Sequence, residues 1–307
     1  MLAGNQLTGL PDNLAACSNL ELLRIAANQL DALPQWLLQL PRLSWLAYAG
    51  NPFCDRLEAA SLRQHPLRSI AWQQLQLGAR LGEGASGVIS RAQWQRADGS
   101  QLPVAVKLYK GEMTSDGSPL HEMNACITAG LHPNLIRVEG RIVEHPQAQA
   151  GLVMELVDPS YRNLAGLPSL ESCSRDVYAD DTRFSADVAL RIARGIASVG
   201  EHLHHQGITH GDLYGHNILW NEHGDCLLGD FGAASFHATQ DSFESRALQR
   251  IEVRAFGVLL GELLERIDSG LSDQARERLE DLQRRCCQGD VLARPGFSEI
   301  VIELDRI

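Results

Sequence analysis

The chain has 307 residues, of which 44% are hydrophobic and 21% are charged, an ordinary balance for a globular protein of about two domains. Its formal net charge of −11 excludes a nonspecific binder of nucleic acid or of anionic membranes, because both need a basic face. The first residues form no basic or apolar signal region, and the seven cysteines lack metal-ligand spacing, so we expect a cytoplasmic protein with reduced thiols.

Residues 1–54 contain a repeat with a period of 23 residues. Its clearest marker is the asparagine that recurs at Asn5, Asn28 and Asn51, with apolar residues at matching positions around it. The shared pattern, L-x-x-L-x-L/I-x-x-N-x-L-x-x-L-P, resembles the leucine-rich repeat. The resemblance implies a short solenoid segment whose leucines point into a core.

The array is short, with two repeats and a fraction, and Met1 falls inside a repeat. Two interpretations stay open. The repeats form a docking surface for a protein partner, or they are a remnant or trimmed piece of a longer array that packs on the next domain.

A linker is predicted at residues 55–73, with a short helix near residues 57–62. Beyond it, Gly82, Gly84 and Gly87 form a G-x-G-x-x-G stretch that is followed by strand residues, which favours a hairpin loop over the turn before a Rossmann helix.

A lysine follows this loop by about twenty residues, on the predicted strand that contains Lys107. From there, its ammonium group can reach phosphates that the loop covers. Ser118 and Pro119 predict the start of a helix, as an N-cap and a first helical residue. That helix carries Glu122, a carboxylate able to pair with Lys107.

Three oxygen-bearing side chains mark the second half of the chain. Asp212 and Asn217 lie five residues apart in a glycine-containing loop, and Asp230 precedes a Phe-Gly turn. Asp and Asn beside Gly are also common in plain loops. Their order and spacing favour a magnesium and phosphate site instead, since Mg²⁺ prefers oxygen ligands. Helices are predicted at residues 185–207 and 251–264, the second one buried.

Taken in order, these motifs resemble the eukaryotic-type protein kinase family. The resemblance implies an α+β, bilobal protein-kinase-like fold, with an N-lobe at residues 74–157 and a C-lobe at residues 158–307. It also implies ATP and Mg²⁺ as cofactors. Gly82, Gly84 and Gly87 would cover the phosphates, and Lys107, paired with Glu122, would hold them.

The same resemblance assigns the remaining roles. Asp212 would accept the proton of the substrate hydroxyl, and Asn217 and Asp230 would bind Mg²⁺. Residues at the positions where the family holds adenine are Ile89, Ala105, Leu219, the gatekeeper Met154, and the hinge residues Glu155, Leu156 and Val157.

The chain departs from the family around the acceptor side. Gly211 replaces the usual Arg before Asp212, Tyr214 stands where Ser/Thr kinases carry a phosphate-binding Lys, and Glu252 replaces an Asp. There is no A-P-E motif, so Arg294 lacks its usual Glu partner. Without a cation at Gly211, we expect activity not to depend on phosphorylation of the hydroxyls that follow Asp230. These are Ser235, Thr239, Ser242 and Ser245.

The sequence therefore predicts an ATP- and Mg²⁺-dependent protein kinase that phosphorylates Ser/Thr hydroxyls of a protein substrate. Two alternatives remain: a small-molecule kinase of the aminoglycoside or choline type, and a pseudokinase scaffold. We expect residues 1–54 not to fold alone but to be held against the small lobe, because so short an array leaves a raw edge.

Overall fold

The computed structural model describes residues 1–111, 113–114, 116–167 and 176–307. Its first element pair is β1 (Leu22–Arg24) and β2 (Trp45–Ala47), two short parallel strands. Leu22 pairs with Trp45, so the pairing is offset by the same 23 residues as the sequence repeat. Each strand follows a single 3₁₀ turn, at Asp12–Ala16 and Leu37–Gln39.

The repeated asparagines hold successive turns of the chain together. Asn51 is fully buried; its amide donates to the carbonyls of Ile25 and Tyr48, and its Oδ1 accepts from the Leu30 N–H at 3.1 Å. Asn28 makes the equivalent bonds one repeat earlier. The side chains thus satisfy buried backbone groups that have no strand partner.

The segment predicted as a linker is structured. Helix α1 (Pro52–Gln64) begins with Pro52, and the first position of a helix tolerates proline well. Strand β3 (Ser69–Ala71) then pairs in parallel with a strand of the next sheet, so this sheet begins before residue 74. The short helix predicted near residues 57–62 is confirmed and is longer than expected.

A six-stranded sheet follows, in the order β3-β7-β8-β6-β5-β4. The added strands are β4 (Leu75–Glu83), β5 (Gly87–Gln95), β6 (Gln101–Tyr109), β7 (Val138–Val143) and β8 (Gly151–Glu155). Helix α2 (Pro119–Ala129) lies between β6 and β7, and the hydroxyl of Ser118 accepts from the Leu120 N–H. The predicted start of this helix is confirmed.

The C-terminal lobe is mainly helical, with short strands that frame its loops. Its strands are β9 (Arg162–Asn163), β10 (Phe184–Ser185), β11 (Ile208–Thr209), β12 (Ile218–Trp220), β13 (Cys226–Leu228), β14 (Ser235–Phe236) and β15 (Ile267–Ser269). Its helices are α3 (Ala186–His205), α4 (Phe243–Leu264), α5 (Asp273–Cys286) and α6 (Phe297–Leu304). Among the described residues, no helix is both long and apolar enough to cross a bilayer.

Helix α4 begins eight residues before the predicted one. Ser242 caps it, since its Oγ accepts from the Ser245 N–H at 3.1 Å and the Ser242 N–H donates to Ser245 Oγ at 3.0 Å. The extra turns carry Ala247 and Leu248, which are buried.

The repeats share a hydrophobic core with the C-terminal lobe. The cluster of Leu30, Leu37, Leu43 and other repeat residues continues into side chains of α4 and of the loop before α6: Ala247, Leu248, Ile251 and Val291. The expectation that the repeats pack against the small lobe is therefore wrong in its main contact. An apolar face on the first turns of α4 provides the docking surface. The small lobe is contacted by α1, which packs against α2, and by the repeat residue Arg24, which pairs with Asp116.

Candidate active site

Between the lobes lies a cavity of about 90 Å³ that brings together several predicted site residues. Lys107 on β6 pairs with the buried Glu122 on the first turn of α2. Ile89, Met154 and Asp230 line the same cavity. Burial opposes the charge of Lys107, but the carboxylate of Glu122 outweighs it and raises the lysine pKa, so the ammonium stays charged.

The glycine-rich loop joins β4 and β5. The Gly84 N–H donates to the Gly87 carbonyl at 3.0 Å, which closes the loop. A Cβ added at Gly87 would lie 2.6 Å from the Leu108 carbonyl oxygen, so this position requires glycine for close strand packing. A Cβ at Gly82 or Gly84 would meet nothing within 4 Å, which leaves open space beside the loop backbone.

The predicted adenine-binding residues are less closely assembled. Ala105 lies opposite the gatekeeper Met154 in the sheet, but Glu155 and Val157 line a separate, larger cavity of about 820 Å³. Leu219 pairs with Leu227 across β12 and β13. Among the described residues, Ala105 and Leu219 line neither of these two cavities.

Asn217 connects the two predicted metal-binding stretches. Its amide nitrogen donates to the Asp212 carbonyl at 2.8 Å and to Asp212 Oδ2 at 3.1 Å. Its own carbonyl accepts from the Gly229 N–H, next to Asp230. Asp230 has φ +54°, a left-handed conformation that Asp tolerates, and its Oδ1 accepts from the Gly232 N–H. Hydrogen bonds of Asn217 therefore join the loop that carries Asp212 to the segment that leads to Asp230.

A carboxylate that sequence reasoning missed holds the loop from Asp212 to Asn217, which we call the catalytic loop after its predicted role. Asp176, almost fully buried, accepts from the backbone N–H groups of Gly215 at 2.6 Å and His216 at 3.0 Å. It also bonds His216 Nδ1 at 2.7 Å. Asp176 thus fixes the loop between Asp212 and Asn217 through its backbone.

A second missed residue is Arg24, at the end of β1. Its guanidinium pairs with Asp212 Oδ1, donates to the Gly211 carbonyl at 3.0 Å, and pairs with Asp116 Oδ1 at 2.6 Å. Arg24 is only 2% exposed. Burial raises the pKa of Asp212, and the Arg24 charge works against that rise. Its counterpart in the next repeat is Ala47, so a charge at this repeat position was the signal available in the sequence.

Gly211, the first departure from the family pattern, fits its surroundings only as glycine. Its φ is +73°, and a Cβ there would lie 2.5 Å from the Ala233 carbonyl oxygen and 2.8 Å from that of Leu46, a repeat residue. Its N–H donates to Glu252 Oε1 at 2.7 Å, and Glu252 Oε2 accepts from His204 at 2.8 Å. Glu252, which stands where the family has an Asp, lies on α4 and thus holds the catalytic loop.

Arg294, which lacks its usual Glu partner, donates to three backbone carbonyls, those of Gln288, Arg250 and Pro41. Pro41 belongs to the repeats. Because the chain has no A-P-E motif to supply a Glu, the Arg294 guanidinium bonds a carbonyl of the repeats. Burial lowers the pKa of Arg294 to about 10.

Two further contacts seat the repeats beside Asp212. Trp45 stacks on Tyr214, with ring centroids 4.4 Å apart, and its Nε1 donates to the Leu213 carbonyl at 3.0 Å. The Oγ of Ser235, which is fully buried, accepts from the Tyr48 N–H at 3.0 Å and the Ala49 N–H at 3.1 Å. Of the four hydroxyls considered for phosphorylation, Ser235, Ser242 and Ser245 thus have structural bonds, whereas Thr239 is exposed.

Comparison with known proteins identifies the class. A profile for the family described as protein tyrosine and serine/threonine kinase matches residues 75–258, which is more than half of the chain. The chain therefore belongs to the protein tyrosine and serine/threonine kinase family.

The chain is 31% identical to cyclin-dependent kinase 11.1 of Caenorhabditis elegans over 158 residues, which is 50% of this chain and 20% of the relative. It is 26% identical to the megakaryocyte-associated tyrosine-protein kinase of Mus musculus over 289 residues, 82% of this chain and 53% of the relative. It is 23% identical to the tyrosine-protein kinase receptor TYRO3 of Mus musculus over 279 residues, 78% of this chain and 32% of the relative. The chain spans less than two thirds of the length of each of these curated relatives.

Proposed function

We propose that this chain is an ATP- and Mg²⁺-dependent protein kinase that transfers the γ-phosphate to Ser or Thr hydroxyls of a protein. The observation that carries this proposal is the joint placement of the charged groups. The Lys107–Glu122 pair and Asp230 line one cavity, and Asn217 ties Asp212 to the strand that leads to Asp230.

The donor set fits Mg-ATP, which the family generally uses. Asp230 supplies a carboxylate, and among the described residues no hydrogen bond is made to Asn217 Oδ1, so both can offer oxygen ligands. Lys107, held charged by Glu122, would neutralise phosphate oxygens below the open backbone of Gly82 and Gly84. Mg²⁺ held by Asn217 and Asp230 would neutralise charge on the phosphates.

Asp212 would act as the base that takes the proton from the acceptor hydroxyl. Arg24 occupies one lone pair of Oδ1 and Asn217 one of Oδ2, and a carboxylate has about four acceptor positions. The remaining positions leave Asp212 able to accept from a hydroxyl.

We further propose that residues 1–54 are leucine-rich repeats that serve as a packing segment of the kinase. The 23-residue offset of β1 and β2, the asparagine bonds and the shared core with α4 support this. The division into a segment at 55–73 and lobes at 74–157 and 158–307 remains our proposal, with β3 as the part of that segment that joins the N-lobe.

A small-molecule kinase is the second candidate, and one observation favours it. Trp45 covers Tyr214 and the Tyr48 backbone covers Ser235, so the repeats occupy surface beside the catalytic loop that a peptide could otherwise use. A narrow approach to Asp212 suits a small alcohol or an exposed side chain.

The test is incubation of the full chain with γ-phosphate-labelled ATP and Mg²⁺, with casein and histone as protein acceptors and choline and an aminoglycoside as small ones. We expect labelled phosphoserine or phosphothreonine, and a fall of about 10²–10⁴-fold for Asp212→Asn. Asp230→Ala should lose the rise in melting temperature that Mg-ATP gives to the wild type.

Each acceptor outcome discriminates between the candidates. Label only on choline or the aminoglycoside would make the second candidate correct, and label only on tyrosine would overturn the Ser/Thr assignment. Equal rates for wild type and Asp212→Asn would remove the assigned base. If Mg-ATP raises the melting temperature of neither the wild type nor Asp230→Ala, and no label transfers, the chain is a pseudokinase scaffold.

A further inference from the structure

The repeats place one charge at the reaction centre. Arg24 ends strand β1, and its guanidinium reaches both the carboxylate of Asp212 and the carbonyl of Gly211, while its Nε is held by Asp116. The contacts join residues 188 positions apart. A guanidinium presents several donors in one rigid plane, so it fixes the orientation of a carboxylate and a neighbouring carbonyl together, whereas an ammonium acts as a point charge with rotatable donors.

The catalytic loop contains no lysine or arginine that could do this. Residue 211 is glycine and residue 214 is tyrosine, whose ring is covered by Trp45. A side chain at position 211 has no room, because Leu46 and Ala233 carbonyl oxygens lie against it. The same close approach of the repeat backbone that excludes a side chain at Gly211 also delivers Arg24 from the neighbouring strand.

The repeats are built in as a permanent part of the lobe. Their leucines share a core with Leu248 and Ile251, and two buried arginines of the lobe donate to them, Arg254 to Ser44 Oγ at 2.6 Å and Arg294 to Pro41. Removing the segment would expose these apolar side chains and leave buried donors without those acceptors. The Arg24–Asp212 pair therefore persists while the protein is folded.

We infer that Arg24 is a positioning residue for phosphotransfer, supplied to the catalytic loop by the repeat segment. It fixes Asp212 Oδ1 while Asn217 fixes Oδ2, so both carboxylate oxygens are held in place and each keeps an acceptor position for the hydroxyl. This inference rests on the proposed function. The opposite reading, in which Arg24 blocks Asp212 until the repeats leave, predicts the opposite sign in the same experiment.

The test compares Arg24→Met and Arg24→Lys with the wild-type full chain and with Arg254→Met as a matched control. Arg254 is also a buried arginine that bridges the repeats and the large lobe, and it contacts Ser44 and Glu21 of the repeats. We expect Arg24→Met to lower kcat about 100-fold, since a displacement of about 1 Å at a reacting group costs that much. The KM for ATP and the thermal shift given by Mg-ATP should stay within about twofold of wild type.

Two results separate positioning from simple structural damage. Arg24→Lys should recover part of kcat, because an ammonium restores the charge but not the planar arrangement of donors. Arg254→Met should lower the melting temperature as Arg24→Met does while it keeps kcat within a fewfold of wild type. If Arg24→Met does not fold, the double variant Arg24→Met/Asp116→Asn, which also removes the charge of Asp116, is used instead.

The failures are distinguishable. A wild-type chain that transfers phosphate, with kcat unchanged in Arg24→Met, would overturn the positioning role alone. A kcat that rises in Arg24→Met would show the blocking role. Equal loss of kcat in Arg24→Met and Arg254→Met would reduce Arg24 to a structural residue. Absence of phosphotransfer by the wild type itself would overturn the proposed function, and this inference with it.

Discussion

Replacing Trp45 by alanine is expected to destabilise the whole chain, because this side chain joins the repeats to the catalytic loop. Trp45 is 1% exposed, stacks on Tyr214 with an interplanar angle of 7°, and donates to the Leu213 carbonyl. Large-to-small changes of buried aromatic residues cost about 3–5 kcal/mol. Since a stacked partner and a hydrogen bond are lost together, we expect the upper part of that range, a large share of the about 5–15 kcal/mol of a typical domain.

The assay is urea denaturation followed by circular dichroism and by tryptophan fluorescence. Because the repeats share a core with α4, both probes should report one cooperative transition in wild type and variant. Trp36→Ala is the control. Trp36 is half-buried and its Nε1 donates to Asp12 within the repeats, so about 1 kcal/mol is expected. Two separate transitions in the wild type, with only the first moved by Trp45→Ala, would refute the reasoning. So would well-dispersed amide signals from the isolated fragment 1–54.

Three further predictions concern the loops around the site. Gly211→Ala should lower both stability and phosphotransfer, measured by melting and by label transfer, because its Cβ would press on the Leu46 carbonyl; wild-type values would contradict this. Ser235→Ala should lower the unfolding free energy measured in urea by about 1–3 kcal/mol, since two buried N–H groups lose their acceptor. Thr239→Ala should keep the phosphotransfer rate within a fewfold of wild type. A large loss of that rate in Thr239→Ala, restored by Thr239→Glu, would show regulation by phosphorylation. Burial lowers the pKa of His237 from 6.5 to about 4, so the unfolded chain binds the extra proton first and stability falls as the pH drops below 6.5. Between about pH 7.5 and about pH 5, wild type should lose about 2 kcal/mol more unfolding free energy than His237→Gln, and equal losses would contradict the shift.

The 23-residue period found in the sequence recurs in the pairing of the first two strands. Spacing of 23 residues between Asn28 and Asn51 translates directly into the register of β1 and β2, because each repeat lies on its neighbour. The pairing of Lys107 with Glu122 followed in the same way from motifs whose spacing reflects local geometry. Short-range patterns of this kind are readable from one sequence.

The contact of Arg24 with Asp212 was not readable. It joins residues from two parts of the chain whose relative placement depends on packing, and an arginine at the end of a repeat strand is ordinarily solvated. The small-lobe expectation failed for the same reason. The apolar face that receives the repeats includes Ala247 and Leu248, which precede the predicted helix, because the reciprocal Ser242–Ser245 cap was not recognised.

The most direct measurement of the central claim is a crystal structure of the full chain with Mg²⁺ and a non-hydrolysable ATP analogue. We predict metal ligation by Asn217 Oδ1 and Asp230, phosphate contact by Lys107, and an Arg24 guanidinium still bonded to Asp212, with the repeats in place. A structure in which nucleotide binds while the repeats are displaced and Arg24 has left Asp212 would contradict the positioning role. A structure without metal at Asn217 and Asp230 would contradict the proposed active site.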